Sequence, residues 1–122
     1  LRLHGGSTTN KRKTKMALTR EYKETVIARI KRDRKFARLI YAGAIDMLLE
    51  GETAEALSRL RDLVHAGITF KELAHETGLG EKTLHRMLNR GGNPTARNLG
   101  TIVKTIAADL GIKPKVTLVA AA

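Results

Sequence analysis

An all-α fold is predicted for this chain. Apolar residues recur at spacings of three and four from about residue 19 to residue 110, the breaks between the periodic stretches fall at glycines, and aromatic residues are only 3% of the sequence. A chain of 122 residues is long enough for one compact domain with tails and too short for two ordinary ones. Without Trp, its core must come from Leu, Ile, Val, Ala and Met packed between helices.

The elements follow in order. Residues 1–15 are polar, aperiodic and rich in Gly, Ser and Thr, and the first methionine follows at Met16. Three readings of this stretch stand open: a disordered basic tail from an upstream translation start, an extension carried over from cloning, and a basic arm that grips DNA. Residues 16–66 are expected to hold three helices. Thr19 caps the first, which ends near Asp33 and aligns Tyr22, Val26, Ile27 and Ile30. The second aligns Phe36, Leu39, Ile40, Gly43, Ala44, Met47 and Leu48 and stops at Gly51. The third aligns Ala56, Leu57, Leu60, Leu63 and Val64 and closes at Gly67. These stripes are ordinary core faces and carry no ligand signal.

Residues 67–111 hold a more specific pattern. From Phe70 to Asn89 two short helices meet in the arrangement of a helix-turn-helix. Helices that cross through a tight turn need a small residue where they touch, which Ala74 supplies, and a turn residue with positive φ, which Gly78 supplies. Leu73, Leu79, Leu84 and Met87 fall on the inner faces, and Thr77 occupies a position that is often apolar. Thr69 and Glu72 have the spacing of a capping box. The second helix starts near Glu81 and turns Lys82, Thr83, His85, Arg86, Asn89 and Arg90 outward. An α-helix fits the DNA major groove, where Arg or Lys can chelate a guanine edge and Asn can pair with adenine. Gly91, Gly92 and Pro94 then break the helix. Thr95 caps a last helix built on Leu99, Ile102, Val103, Ile106 and Leu110 and ended by Gly111. That capped start suits a phosphate, helped by Asn93, Thr95 and Arg97, although a purely structural cap is an equal reading. Thr69 and Lys71, at the start of the first helix of the pair, complete the DNA-contact candidates. Residues 112–122 form a tail in which Val116–Val119 is either a short strand or an ordered segment that contacts a dimer partner.

Charge points to the same ligand. Lys and Arg number 23 against 12 Asp and Glu, a formal net charge of +11. Arg2, Lys11, Arg12, Lys13 and Lys15 account for five of these, which leaves +6 for residues 16–122. A field of this sign attracts polyanions, nucleic acid first.

The chain resembles a known family in Met16 through Val26, Phe70-Lys71-Glu72-Leu73, Lys82 through Met87, and Gly92-Asn93-Pro94-Thr95-Ala96-Arg97-Asn98-Leu99. These segments are similar to the addiction-module antidote proteins, HigA-like antitoxins with a helix-turn-helix of the phage-repressor (Xre) class. The resemblance spans about residues 16–110. It implies a phage-repressor-like helix-turn-helix domain with additional N-terminal helices, which neutralises a small RelE/ParE-like toxin and represses the shared operon as a DNA-bound dimer. Two departures stand out: Phe70 lies where phage repressors often place a phosphate-contacting Gln, and Arg34 follows Asp33 where relatives tend to have Pro. With residues 68–110 committed to the helix-turn-helix and its support, a toxin would need the N-terminal helices, with Arg20, Lys23, Arg38 and Glu55 as candidate contacts. A stand-alone repressor with no toxin is the competing reading.

Other classes find little support. No cysteine is present, so disulfides, thiolate metal sites and catalytic thiols are excluded, and a reducing, cytoplasmic setting is expected. No run approaches the ~18 apolar residues of a membrane span. His4, His65, His75 and His85 lack the ligand spacing of a zinc site, and no glycine-rich phosphate loop follows a strand. Neither enzymatic activity nor a metal or cofactor is expected.

Overall fold

The computed structural model describes residues 20–121, which form six helices and no strand. Residues 1–15 and the expected helix cap Thr19 lie outside the described residues. The helices are α1 (residues 20–32), α2 (Arg34–Leu49), α3 (Thr53–Ala66), α4 (Phe70–Thr77), α5 (Glu81–Met87) and α6 (Ala96–Asp109).

The core is built around α3. Ala56, Leu57, Leu60, Leu63 and Val64 are all buried, as the apolar spacing predicted. Leu57, Leu60, Leu63 and Val64 meet Ala37, Tyr41 and Ala44 of α2, Phe70 and Leu73 of α4, Leu84 of α5 with Leu88 at its end, and Ile102 and Ile106 of α6 in one cluster. Among the described residues no helix is long and apolar enough to cross a membrane.

The faces of α1 and α2 differ in part from expectation. Val26 and Ile30 are buried, but Tyr22 is 62% exposed. On α2, Ala44 is buried as expected, but Leu39 is 69% exposed, and Ala37 and Tyr41 complete the buried line. Tyr41 sets this rotation: its ring is fully buried, and its hydroxyl donates to the Val103 carbonyl at 2.9 Å. A buried hydroxyl without such an acceptor would be costly, so the tyrosine can turn inward only where α6 offers one.

The helix ends are closed by local chemistry. The Asp33 carboxylate accepts the Phe36 N–H at 3.0 Å at the start of α2. This bond, with the neighbouring Arg29 cation, outweighs burial and holds the Asp33 carboxyl below the ordinary carboxylate range. The cap forms although Arg34 stands at the first helical position. Gly51 (φ +81°) and Gly111 (φ +69°) end α2 and α6. At each end the next two amides bond back into the last turn, Gly51 to Leu48 and Glu52 to Met47, Gly111 to Ala108 and Ile112 to Ala107. Residues 112–121 form no strand: a strand needs a partner ladder, and the described residues contain only helices.

A polar lock joins α1 to α3. The Lys23 ammonium donates to Ser58 Oγ at 2.7 Å and lies 3.5 Å from Asp62 Oδ1. Ser58 and Asp62 are the buried polar residues of the described chain, and Lys23 neutralises the carboxylate. Buried charge is tolerated when paired in this way.

Candidate nucleic-acid interface

The second half of the chain sets two short helices, α4 and α5, against α3 and α6. Gly78 ends α4 with φ +75°, a left-handed conformation in which a side chain would be strained, and the chain turns through residues 78–80 into α5. Thr77 performs a polar task in this turn. Its hydroxyl donates to the Leu73 carbonyl at 2.7 Å and accepts the Leu79 amide at 3.2 Å, so it satisfies backbone groups where an apolar residue would only pack. Leu73, Leu84, Met87 and Leu88 are buried, and Leu79 and Ala74 are partly buried against the same cluster.

The expected capping box is only half formed. Thr69 Oγ1 accepts the Glu72 amide at 3.3 Å, while the Thr69 amide, the expected partner of the Glu72 side chain, donates to the Val64 carbonyl at 2.9 Å. Thr69 itself adopts φ +75°, unusual for a β-branched residue, as the chain swings from α3 into α4.

With Leu84, Met87 and Leu88 turned inward, Lys82 and Arg86 emerge four residues apart on the exposed face of α5, and Asn89 is exposed two residues past its end. Thr83 is half-buried beside Gly80. His85 was expected on the outward face, but it is half-buried and its ring stacks on Phe70 with centroids 3.7 Å apart and planes at 15°. His65 of α3 meets the edge of the same Phe70 ring at 4.9 Å. Partial desolvation in this ring cluster, with the Arg61 cation and His85 nearby, pushes the His65 imidazole below its ordinary pKa. Phe70 thus joins α5 to α3.

The remaining candidates divide in two groups. Arg90 is drawn into an ion pair with Glu55 at the start of α3. Asn93, Thr95 and Arg97 lie exposed around the start of α6, and Thr69 and Lys71 lie exposed at the start of α4. Thr95 Oγ1 accepts the Asn98 amide at 3.1 Å, while the Asn98 side-chain amide lies 3.7 Å from the Met87 sulfur, which fixes this start beside the end of α5. The connecting loop is held by Gly92. A Cβ built there would fall 2.2 Å from the Met87 carbonyl oxygen and 2.7 Å from that of Arg86. Only glycine lets the chain fold this closely over the end of α5.

The arrangement offers cations and amides aligned along an exposed helix, beside a capped helix start. No group of three or more potential metal ligands occurs among the described residues. Of the four expected toxin contacts, Lys23 is held in the polar lock, Arg38 donates to the Leu110 carbonyl at 3.0 Å, Glu55 pairs with Arg90, and Arg20 is exposed. Three of them therefore have intramolecular duties that their sequence positions did not reveal. The ring stack and the lock were equally hidden, because their partners lie 15 to 39 residues apart in the chain; Leu88 was the one buried residue of the α5 region that the spacing argument omitted. No protein-family model, curated protein or solved structure matches the chain.

Proposed function

We propose that α4 and α5 form a helix-turn-helix that binds double-stranded operator DNA, with α5 as the helix that enters the major groove. The observation that carries this reading is the two-sided build of α5. Leu84 and Met87, with Leu88 at its end, fix one side in the core while Lys82 and Arg86, residue types that recognise base edges and phosphates, line the other, and Asn89 lies exposed just past the end of the helix. The start of α6, with Asn93, Thr95 and Arg97, supplies a phosphate contact at the flank of the groove.

The fuller role follows the family resemblance: a cytoplasmic type II antitoxin that represses its own operon and neutralises a RelE/ParE-like toxin. Support for a protein partner is the exposure of Tyr22, Leu39 and Leu49 on α1 and α2, outside the DNA-facing helices. Exposed Val116, Leu118 and Val119 support a homodimer. A two-fold dimer of this class reads an inverted repeat with half-sites about 34–36 Å apart. Footprinting on the chain's own promoter region tests the DNA role, which an absence of protection contradicts; a single asymmetric half-site bound by a monomer contradicts the dimer. Co-purification with the product of the adjacent gene tests the toxin role, and its failure leaves the stand-alone repressor as the reading.

A further inference from the structure

The junction of α1 and α2 concentrates charge that the proposed groove contact does not use. Arg29, Lys31, Arg32, Arg34, Lys35 and Arg38 lie within ten residues, all exposed, with Asp33 as the one acid among them. Three have assigned structural work. Arg29 pairs with Asp33 at 3.6 Å and covers the Phe36 ring at 4.0 Å. Arg34 Nη2 donates to the Asp109 carbonyl and Arg38 Nε to the Leu110 carbonyl, each at 3.0 Å. Lys31, Arg32 and Lys35 have no ion pair among the described residues. Lys31, Arg32 and Arg34 line a cleft of about 280 Å³ floored by Ile30 and closed by Asp109 and Leu110.

This surface is remote from α5. Its arginines hold the last residues of α6, whereas the start of that helix lies against the end of α5, and 14 residues of helix separate the two by roughly 20 Å. The groove of α4 and α6 carries the opposite charge, with Glu72, Glu76 and Asp109 in its lining.

We propose that the α1–α2 junction is a second nucleic-acid surface, which holds the phosphate backbone of a duplex segment other than the one seated on α5. Six exposed cations with one acid among them suit a sequence-independent backbone contact; protein interfaces are built around exposed apolar anchors, whereas Ile30 and Leu110 of the cleft are themselves buried and the exposed Leu39 is not among its lining residues. A chain with both surfaces bridges two duplex segments. Bridging rests on the α5 reading, but the second surface does not.

The test uses the full chain and a random-sequence duplex as probe. In a Lys82→Glu/Arg86→Glu background, residual salt-dependent binding is expected, and adding Lys31→Glu, Arg32→Glu and Lys35→Glu should weaken it at least tenfold. The slope of log affinity against log salt should become shallower by about three, near 0.9 for each phosphate that is no longer neutralised. The triple variant alone should retain operator affinity within about threefold, yet no longer capture a second labelled duplex on operator-coated beads. Gln substitutions at the three positions, with an unchanged thermal melt, separate charge loss from misfolding. Unchanged slope and capture in the triple variant overturn the proposal. So does binding of poly-glutamate, but not duplex, at these residues, which would assign the surface to an acidic protein. A preference for the operator over the random-sequence duplex that survives loss of Lys82 and Arg86 would instead count against the α5 reading and leave the slope test of the junction intact.

Discussion

The two ends of α6 are finished in opposite ways. At its end every carbonyl of the last turn has a donor: Ile106 takes the Leu110 amide, Ala107 and Ala108 take the amides of Ile112 and Gly111, and Arg34 and Arg38 close Asp109 and Leu110. Cations at a helix end also oppose the negative pole of its dipole. At its start the Thr95 hydroxyl satisfies the Asn98 amide and the Thr95 carbonyl that of Leu99, while the amides of Ala96 and Arg97 find no protein acceptor among the described residues. A closed end is a structural joint. An open, positively polarised start beside exposed Asn93 and Arg97 is a place where an anion can complete the hydrogen bonding.

The largest expected effect strikes both ends together. Ile102 lies fully buried midway along α6, and Ile102→Ala should cost about 2–5 kcal/mol by urea unfolding, with DNA binding lost in proportion to the unfolded fraction. Next comes the open end. Thr95→Ala should cost about 1 kcal/mol of stability and weaken operator binding beyond what that loss explains, as read by anisotropy on protein shown to be folded. Arg38→Ala at the closed end should cost about 0.5–1.5 kcal/mol and leave operator affinity unchanged. If the two variants exchanged these signatures, the open and closed roles would be reversed.

The smallest effect is in pH. The His65 imidazole titrates below its unfolded value of about 6.5, so the folded chain binds fewer protons than the unfolded one. Its contribution is therefore present above that value and is lost as pH falls through the folded pKa. Thermal melts between pH 7 and 5 should show a decline for the wild type that His65→Gln reduces; identical declines would remove the ring cluster as its source.

Much of this fold was legible in the sequence where pattern and packing agree. The α3 stripe is buried residue for residue, and Gly51, Gly78 and Gly111 stand in the left-handed region where helices were expected to stop. The α2 stripe was less legible, because apolar residues surround that helix and only the Tyr41 hydroxyl, through an acceptor 62 residues away, decides which face turns in. For the candidate site, Lys82 and Arg86 emerged as the helical period required, while Asn89 is exposed beyond the end of the helix. His85 did not, since its partner Phe70 lies on another helix and a one-dimensional period carries no record of ring stacking. The glycine at position 92 was legible as a helix breaker, but the backbone approach that demands it was not.

The central claim is that α5 contacts DNA through Lys82 and Arg86. Fluorescence anisotropy of wild type, Lys82→Ala and Arg86→Ala, on a duplex carrying the chain's own operator and on a scrambled duplex, tests it most directly. If Arg86 recognises a base, its loss should cost about 1–3 kcal/mol on the operator and little on the scrambled duplex, with the melting temperature unchanged; if Lys82 holds a phosphate, its loss should weaken both about equally. Unchanged operator affinity in both variants would contradict the account and move the DNA surface away from α5.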